Sequence, residues 1–217
     1  MMRIAAFSDF HGMHDRLVLP TDCDLAIIAG DVLNDGYKHD WAKFLIWVKR
    51  VQSSGIFSEV VMIAGNHDRG LQTMKIEEIR ESLYPWSYLK NSAVRIENLT
   101  IWGSPHTPKI WSGDPWAFVY ERDETAAHIW KEIPEDVDIL VTHGPAYGTL
   151  DRVDSMYPAV GCPALADRIK SIKPKVHICG HIHESYGSAM NESTRSYNVS
   201  ICTARYAPTN PVTVFSL

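Results

Sequence analysis

Five short polar clusters carry the side chains best suited to chemistry: Asp9 with His11, Gly30 with Asp31, Gly65-Asn66-His67-Asp68, His143-Gly144, and Gly180-His181 with His183. Seven of these residues are candidate metal ligands: Asp9, His11, Asp31, Asn66, His143, His181 and His183. They offer carboxylate and carboxamide oxygens and imidazole nitrogens, with no thiolate. That mixture suits Mn, Fe, Zn or Ni better than the all-oxygen cages of Mg and Ca. Seven donors exceed what one ion takes, and they fit two ions that share a bridging carboxylate. Asp and Asn after Gly are ordinary turn formers, so one cluster alone would mean little; five in series point to metal chemistry. Asp9 and His11, like His181 and His183, are two apart, a spacing that turns both side chains the same way at a strand end.

The elements that must position these residues are readable. Short apolar runs at 4–7, 25–29, 60–64, 139–141 and 176–179 each end at one of the clusters. Continuous Val- and Ile-rich runs of that length predict strands buried on both faces. Their C-terminal ends then form the sheet edge where α/β proteins bind ligands. Helical spacing predicts a helix after an Asp40 N-cap, carrying Trp41, Phe44, Leu45, Val48 and Val51. Further helices are expected at 73–83, 124–133 and 162–172, with Pro85, Pro134 and Pro174 as stops. More strands are expected at 94–96, 99–103, 196–201 and 212–216, so the strand-rich C-terminal part predicts a second sheet. The fold class is α/β. The segment 103–118 is an aromatic, Pro- and Gly-rich loop, of a length that is usually functional.

The chain has 217 residues, 45% hydrophobic and 22% charged, which predicts one folded domain spanning 1–217. Its net charge of −5 argues against a broad nucleic-acid-binding surface. No apolar run approaches the ~20 residues of a membrane span. The apolar run near the N-terminus is too short for a signal peptide. None of the cysteines, Cys23, Cys162, Cys179 and Cys202, has C-x-x-C spacing. Reduced thiols in a cytoplasmic protein are the expectation.

Taken together, Asp9-x-His11, Gly30-Asp31, Gly65-Asn66-His67-Asp68, His143-Gly144 and Gly180-His181-x-His183 resemble the five motifs of the calcineurin-like metallophosphoesterases. A narrower resemblance rests on Thr142-His143-Gly144-Pro145, Val160-Gly161-Cys162, Lys173-Pro174-Lys175-Val176-His177, His183-Glu184-Ser185-Tyr186-Gly187 and Pro208-Thr209-Asn210-Pro211. These are similar to the small metallophosphoesterase domain-containing proteins, which are class III cyclic-nucleotide phosphodiesterase-like. Some animal members carry Gly at the position of His181, so its presence here implies a competent site.

The resemblance implies a four-layer α/β/β/α sandwich of two mixed sheets. It implies that Asp9, His11, Asp31 and His183 hold one divalent ion. Asp31, Asn66, His143 and His181 would hold the other, with Asp31 bridging. Manganese is the first expectation for both ions, with Fe, Zn or Ni also suited. The implied reaction is hydroxide attack on a small phosphodiester, such as a cyclic nucleotide, without a covalent enzyme intermediate. His67 would stabilise the phosphoryl group or protonate the leaving oxygen. Asp68 either orients that imidazole or serves as a turn or helix-cap residue; Asp35 is an outer-shell or turn residue.

Two alternatives are a metal-dependent nuclease and a non-catalytic interaction module on the same fold. Net charge weighs against the first and retention of every donor against the second. A Ser/Thr protein phosphatase is disfavoured because Gly30-Asp31-Val32-Leu33-Asn34-Asp35-Gly36 lacks that group's Arg. The aromatics Trp111, Trp116 and Phe118, with His106, either wall a substrate pocket or pack their loop. Arg122, Arg152 and Arg205 are candidates for a second phosphate contact. His14, His39, His128 and His177 are read as structural or exposed, and Cys162 has no catalytic partner in view.

Overall fold

The computed structural model describes residues 1–36, 38–109, 113, 115–122, 124–154 and 159–217. In chain order the elements are β1 (Arg3–Phe7), β2 (Leu25–Ala29), α1 (Lys38–Ser54), β3 (Glu59–Ile63), α2 (Arg69–Thr73), α3 (Ile76–Leu83), β4 (Ser87–Tyr88), β5 (Ser92–Ile96) and β6 (Leu99–Ser104). There follow β7 (Thr107–Pro108), β8 (Val119–Tyr120), α4 (Glu124–Lys131), β9 (Ile139–Thr142), α5 (Pro163–Ile172), β10 (Val176–Cys179), β11 (Gly187–Asn191), β12 (Thr194–Asn198) and β13 (Thr213–Ser216).

Two mixed sheets form. The first has the order β13-β1-β2-β3-β4, parallel except for β13, which runs antiparallel to β1. The second has the order β11-β12-β10-β9-β6-β5, with antiparallel β11 and β5 at its edges. Alternation within the strands divides their side chains between three cores. Ile4, Ile27 and Ile63 of the first sheet meet Ile101, Ile139 and Ile178 of the second in the middle layer. Phe7, Ile28 and Met62 face outward onto Phe44, Trp47 and Val48 of α1 and Ile79 of α3. Trp102 and Leu140 face outward onto Trp130 of α4 and Leu165 and Ile169 of α5. The architecture is the expected four-layer α/β/β/α sandwich. Burial on both faces explains why the central strands read as unbroken apolar runs.

Some boundaries differ from expectation. Helix α1 begins at Lys38, so Asp40 lies in its first turn rather than capping it. The helix expected at 73–83 starts later, as α3 at Ile76; a separate short helix, α2, ends at Thr73, and the backbone at Met74 and Lys75 between them is extended. The expected second sheet forms and takes in most of the C-terminal strands, but it also draws on β5 and β6 and does not include β13. β11 and β12 join β10, while β13 returns to pair with β1. Just after β12, Ser200 bridges to Ser8 just after β1, which ties the two sheets together where their C-terminal ends meet.

Ile27 has no exposed surface and lies at the centre of the middle core. Ile27→Ala is expected to lower the unfolding free energy by about 2–5 kcal/mol, measured by urea denaturation. A loss under ~1 kcal/mol would show that the layer is not close-packed.

Candidate metal centre

All seven candidate donors come together at the joint edge of the two sheets. Asp9, Asp31 and Asn66 follow β1, β2 and β3; His143, His181 and His183 follow β9 and β10. His11 completes the turn after β1. The local geometry is not extended, as the i, i+2 argument required. Asp9, His11, Asp31 and His181 have φ of 53°, 43°, 51° and 68°. Left-handed backbone is uncommon for residues with a Cβ, costs on the order of 1 kcal/mol or more, and clusters at functional sites. Neighbouring strands hold it in place: Asp9 N–H donates to the Gly30 carbonyl at 3.0 Å and His11 N–H to the Asp31 carbonyl at 3.1 Å. As a result His181 and His183 diverge rather than align. The His181 ring centre lies 5.1 Å from that of His143, and the His183 ring 5.1 Å from that of His11.

The donors form three overlapping trios, each with its ligand atoms within 4.8 Å of one another: Asp9, His11 and His183; His11, Asp31 and His67; Asp31, His143 and His181. Asp31 therefore stands between the two ends, and Asn66 joins the third trio through Oδ1, 2.8 Å from His143 Nε2. Close approach needs residues without a Cβ. A Cβ on Gly65 would overlap Asp31 Oδ1 and come within 2.5 Å of His143 Cε1, and one on Gly180 would overlap the Asp9 carboxylate.

The donor set fits divalent ions. His143 Nδ1 lies 3.0 Å from the Ala29 carbonyl and His183 Nδ1 lies 3.1 Å from the Thr203 carbonyl. A carbonyl only accepts, so in each neutral ring the proton sits on Nδ1 and Nε2 turns a lone pair inward. There His183 Nε2 meets Asp9 Oδ1 at 3.5 Å and His11 Nε2 at 3.2 Å, while His143 Nε2 meets Asp31 Oδ2 at 3.4 Å. Lone pairs facing one another call for a proton or a cation between them. His181 Nε2 is buried without a partner.

In the absence of a cation, protons fill this need. Burial alone would raise the Asp9 and Asp31 carboxyls, but the hydrogen bond and charge of His183 on the first, and the charge of His143 on the second, hold both well below the usual range. For His143, burial is outweighed by the charge of Asp31, which lifts it to about 9. His11 and His181 receive no comparable compensation, and burial lowers them to about 4 and about 3.

His67 lies at the rim. Its Nδ1 is 2.6 Å from the Asn34 carbonyl, and its ring stacks on Trp116 at 3.9 Å. The group that orients His67 is thus Asn34, which replaces Asp68 in that role. The Asp68 carboxylate is fully buried and accepts the backbone N–H groups of Gly65 at 2.7 Å and Leu33 at 2.8 Å. It fastens the turn bearing Asp31 to the turn bearing Asn66. Burial and the nearby charge of Asp31 push its carboxyl up to about 7.

A cavity of about 270 Å³ opens over Asp31, Asn66, His67, His181 and His183, walled by Trp116 and Tyr206. Of the loop aromatics, Trp116 lines it, whereas Phe118 is buried in the core. His106 contacts Ser104 and Asn91, and Trp111 lies outside the described residues. Arg122, Arg152 and Arg205 do not line it. Arg69 lies behind this wall, over the Trp116 ring at 4.2 Å. Arg69, Asn34 and Tyr206 escaped the sequence reading. Asn34 acts through its main chain, and no motif spacing marks the other two. His14 and His177 are buried and His39 and His128 exposed, as expected. A separate hollow of about 230 Å³ lies beside α5 and the β11–β12 hairpin, lined by neither His67 nor the donors.

A histidine raised on folding stabilises the protein below its unfolded value and loses that contribution as pH rises through its folded value. With His143 at 6.5 unfolded and about 9 folded, the metal-free protein is expected to lose roughly 2–3 kcal/mol between pH 6.5 and 9. Chemical denaturation in chelator across that range measures it. Flat stability would contradict a His143 proton shared with Asp31.

A family model described as calcineurin-like phosphoesterase matches residues 2–185. The human metallophosphoesterase domain-containing protein 1 is 32% identical, across 99% of this chain and 71% of its own length. One solved structure superposes with a TM-score of 0.69 at 16% identity, covering 91% of this chain and 90% of that one. The protein TT1561 of Thermus thermophilus does so with a TM-score of 0.59 at 12% identity, covering 91% and 88%. At such identities these structures bear on the fold alone, whereas the family model spans most of the chain and every donor. The chain belongs to the calcineurin-like phosphoesterase family.

Proposed function

We propose that this protein is a dinuclear metal-dependent phosphodiesterase acting on small diesters such as cyclic nucleotides. The observation that carries the reading is the run of overlapping donor trios with Asp31 in the middle and His67 beside it. Asp9, His11 and His183 would hold one divalent ion, and Asn66, His143 and His181 the other, with Asp31 shared. We favour manganese; Fe, Zn and Ni suit the same donors. When bound, such a pair acidifies water enough to supply hydroxide at neutral pH and offsets phosphoryl charge. The C-terminal motifs shared with class III cyclic-nucleotide phosphodiesterase-like proteins support a diester over a monoester.

The chain's own residues supply the rest. Ala29 and Thr203 fix the tautomers of His143 and His183, so that their Nε2 atoms face the centre. Asn34 occupies Nδ1 of His67 in the same way, so it is Nε2 that would give a proton to the departing ester oxygen, from the doubly protonated ring, which returns to the neutral Nδ1–H form. Stacking on Trp116 holds that ring in plane. Asp68 keeps the two donor-bearing turns in register and takes no part in proton transfer. The four free, buried cysteines fit a reducing compartment, and we place the protein in the cytoplasm.

The test is hydrolysis of bis(p-nitrophenyl) phosphate beside p-nitrophenyl phosphate, by enzyme stripped with chelator and re-supplied with Mn. Faster diester cleavage is expected, abolished in Asp31→Ala and reduced about 10²–10⁴-fold in His67→Ala. Preference for the monoester would overturn the diesterase reading.

A further inference from the structure

The cavity over the donors is lopsided in chemistry. Besides the donors and His67, its lining includes Trp116, Val119, Val153, Ala204 and Tyr206. Glu184 is the one further charged side chain there, and neither Lys nor Arg lines it among the described residues. Sites for phosphomonoesters or chains of phosphates surround the extra charge with arginine and lysine. This lining offers instead apolar surface, two aromatic rings and a carboxylate. It suits a ligand with a single negative charge and an apolar, flat appendage.

Tyr206 is the residue that the fold itself leaves unexplained. It belongs to none of the three hydrophobic cores, and it remains 48% exposed. Even so, its ring centre lies only 4.8 Å from that of His11 and 5.1 Å from that of His183. Its position is built in. Tyr206 N–H donates to the Thr203 carbonyl at 2.8 Å and Thr203 N–H to the Ala207 carbonyl at 2.9 Å. The same Thr203 carbonyl meets His183 Nδ1, so one turn sets both the histidine and the aromatic ring. From His67 the Tyr206 ring is 6.3 Å away. It therefore stands nearer the Asp9–His11–His183 end than to the residue that serves the leaving oxygen.

We propose that Tyr206 is a specificity-determining residue whose ring stacks on the ester arm retained on phosphorus, and that the substrate class is a singly charged diester whose retained arm is planar and aromatic, as a nucleobase-bearing or aryl group is. This rests on the diesterase reading above. Stacking of one base on one side chain corresponds to about tenfold or more in affinity.

Two diesters with the same leaving group and charge isolate the arm: bis(p-nitrophenyl) phosphate, which retains an aryl arm, and methyl p-nitrophenyl phosphate, which retains a methyl. Tyr206→Ala is expected to raise KM for the first about tenfold, with kcat little changed, and to move KM for the second less than twofold. Tyr206→Phe, which keeps the ring, restores the wild-type values. Calorimetry gives a second readout: Tyr206→Ala weakens binding of diphenyl phosphate about tenfold and leaves dimethyl phosphate unaffected. Equal effects on both members of either pair, or none on either, would overturn the proposal. If the wild-type enzyme cleaves neither diester, the diesterase reading fails, while the calorimetric comparison still decides whether Tyr206 recognises an aromatic arm.

Discussion

Two carboxylates without solvent, Asp9 at 0% and Asp31 at 1% exposure, impose the demand that the rest of the structure answers. An ionised carboxylate removed from water costs several kcal/mol unless positive charge and hydrogen bonds surround it. The surroundings comply. Asp9 accepts hydrogen bonds from Ser200 Oγ at 2.9 Å and from His181 N–H at 3.1 Å, and it faces His183. Asp31 accepts His67 N–H at 2.8 Å and faces His143. These bonds leave inward-facing oxygens and nitrogens that are still short of positive charge. In the metal-free chain the charge of Asp31 raises His143, and the hydrogen bond and charge of Asp9 raise His183, against the cost of burial; divalent ions would meet the deficit more completely.

Concentrating so much polarity at one point requires a frame that does not yield. The middle core of Ile4, Ile27, Ile63, Ile101, Ile139 and Ile178 provides it, and packed interiors resist local relaxation. The donors lie just beyond that core, on turns where four residues adopt left-handed backbone. Such turns persist only where neighbours over-determine them. Here strand ends of both sheets, the Ser8–Ser200 bridge and the Asp68 carboxylate do so. Asp68 is thus best understood as a fastener between two loops. A carboxylate that accepts backbone N–H groups from two turns locks their relative position in a way that a turn-forming residue cannot.

The functional reading follows from the asymmetry of this arrangement. Donors occupy the floor, His67 on its Trp116 support occupies one part of the rim, and Tyr206 another. Family membership accounts for the floor. The rim, built from the turn after β3, Trp116 before β8 and the turn after β12, is where the proposed substrate choice would be made, because loops can vary without disturbing the core.

Much of this was legible in the residues alone. Donor types, their five clusters, the central strands and the α/β class all follow from residue chemistry and local periodicity, which survive in a one-dimensional record; the four-layer architecture is implied by the family resemblance that the clusters carry. Directions do not survive in it. The divergence of His181 from His183 depends on a left-handed φ that no spacing rule contains. The facing of His11 and His183 joins residues 172 positions apart. The Asn34 carbonyl is a main-chain group that every residue possesses, so only folding shows that it orients His67. Tyr206 has no motif, and its place follows from the turn that also holds His183. What a side chain can do is a property of its type, determined by the sequence itself. What it faces is set by backbone torsion and by contacts between distant segments, and those only the tertiary structure decides.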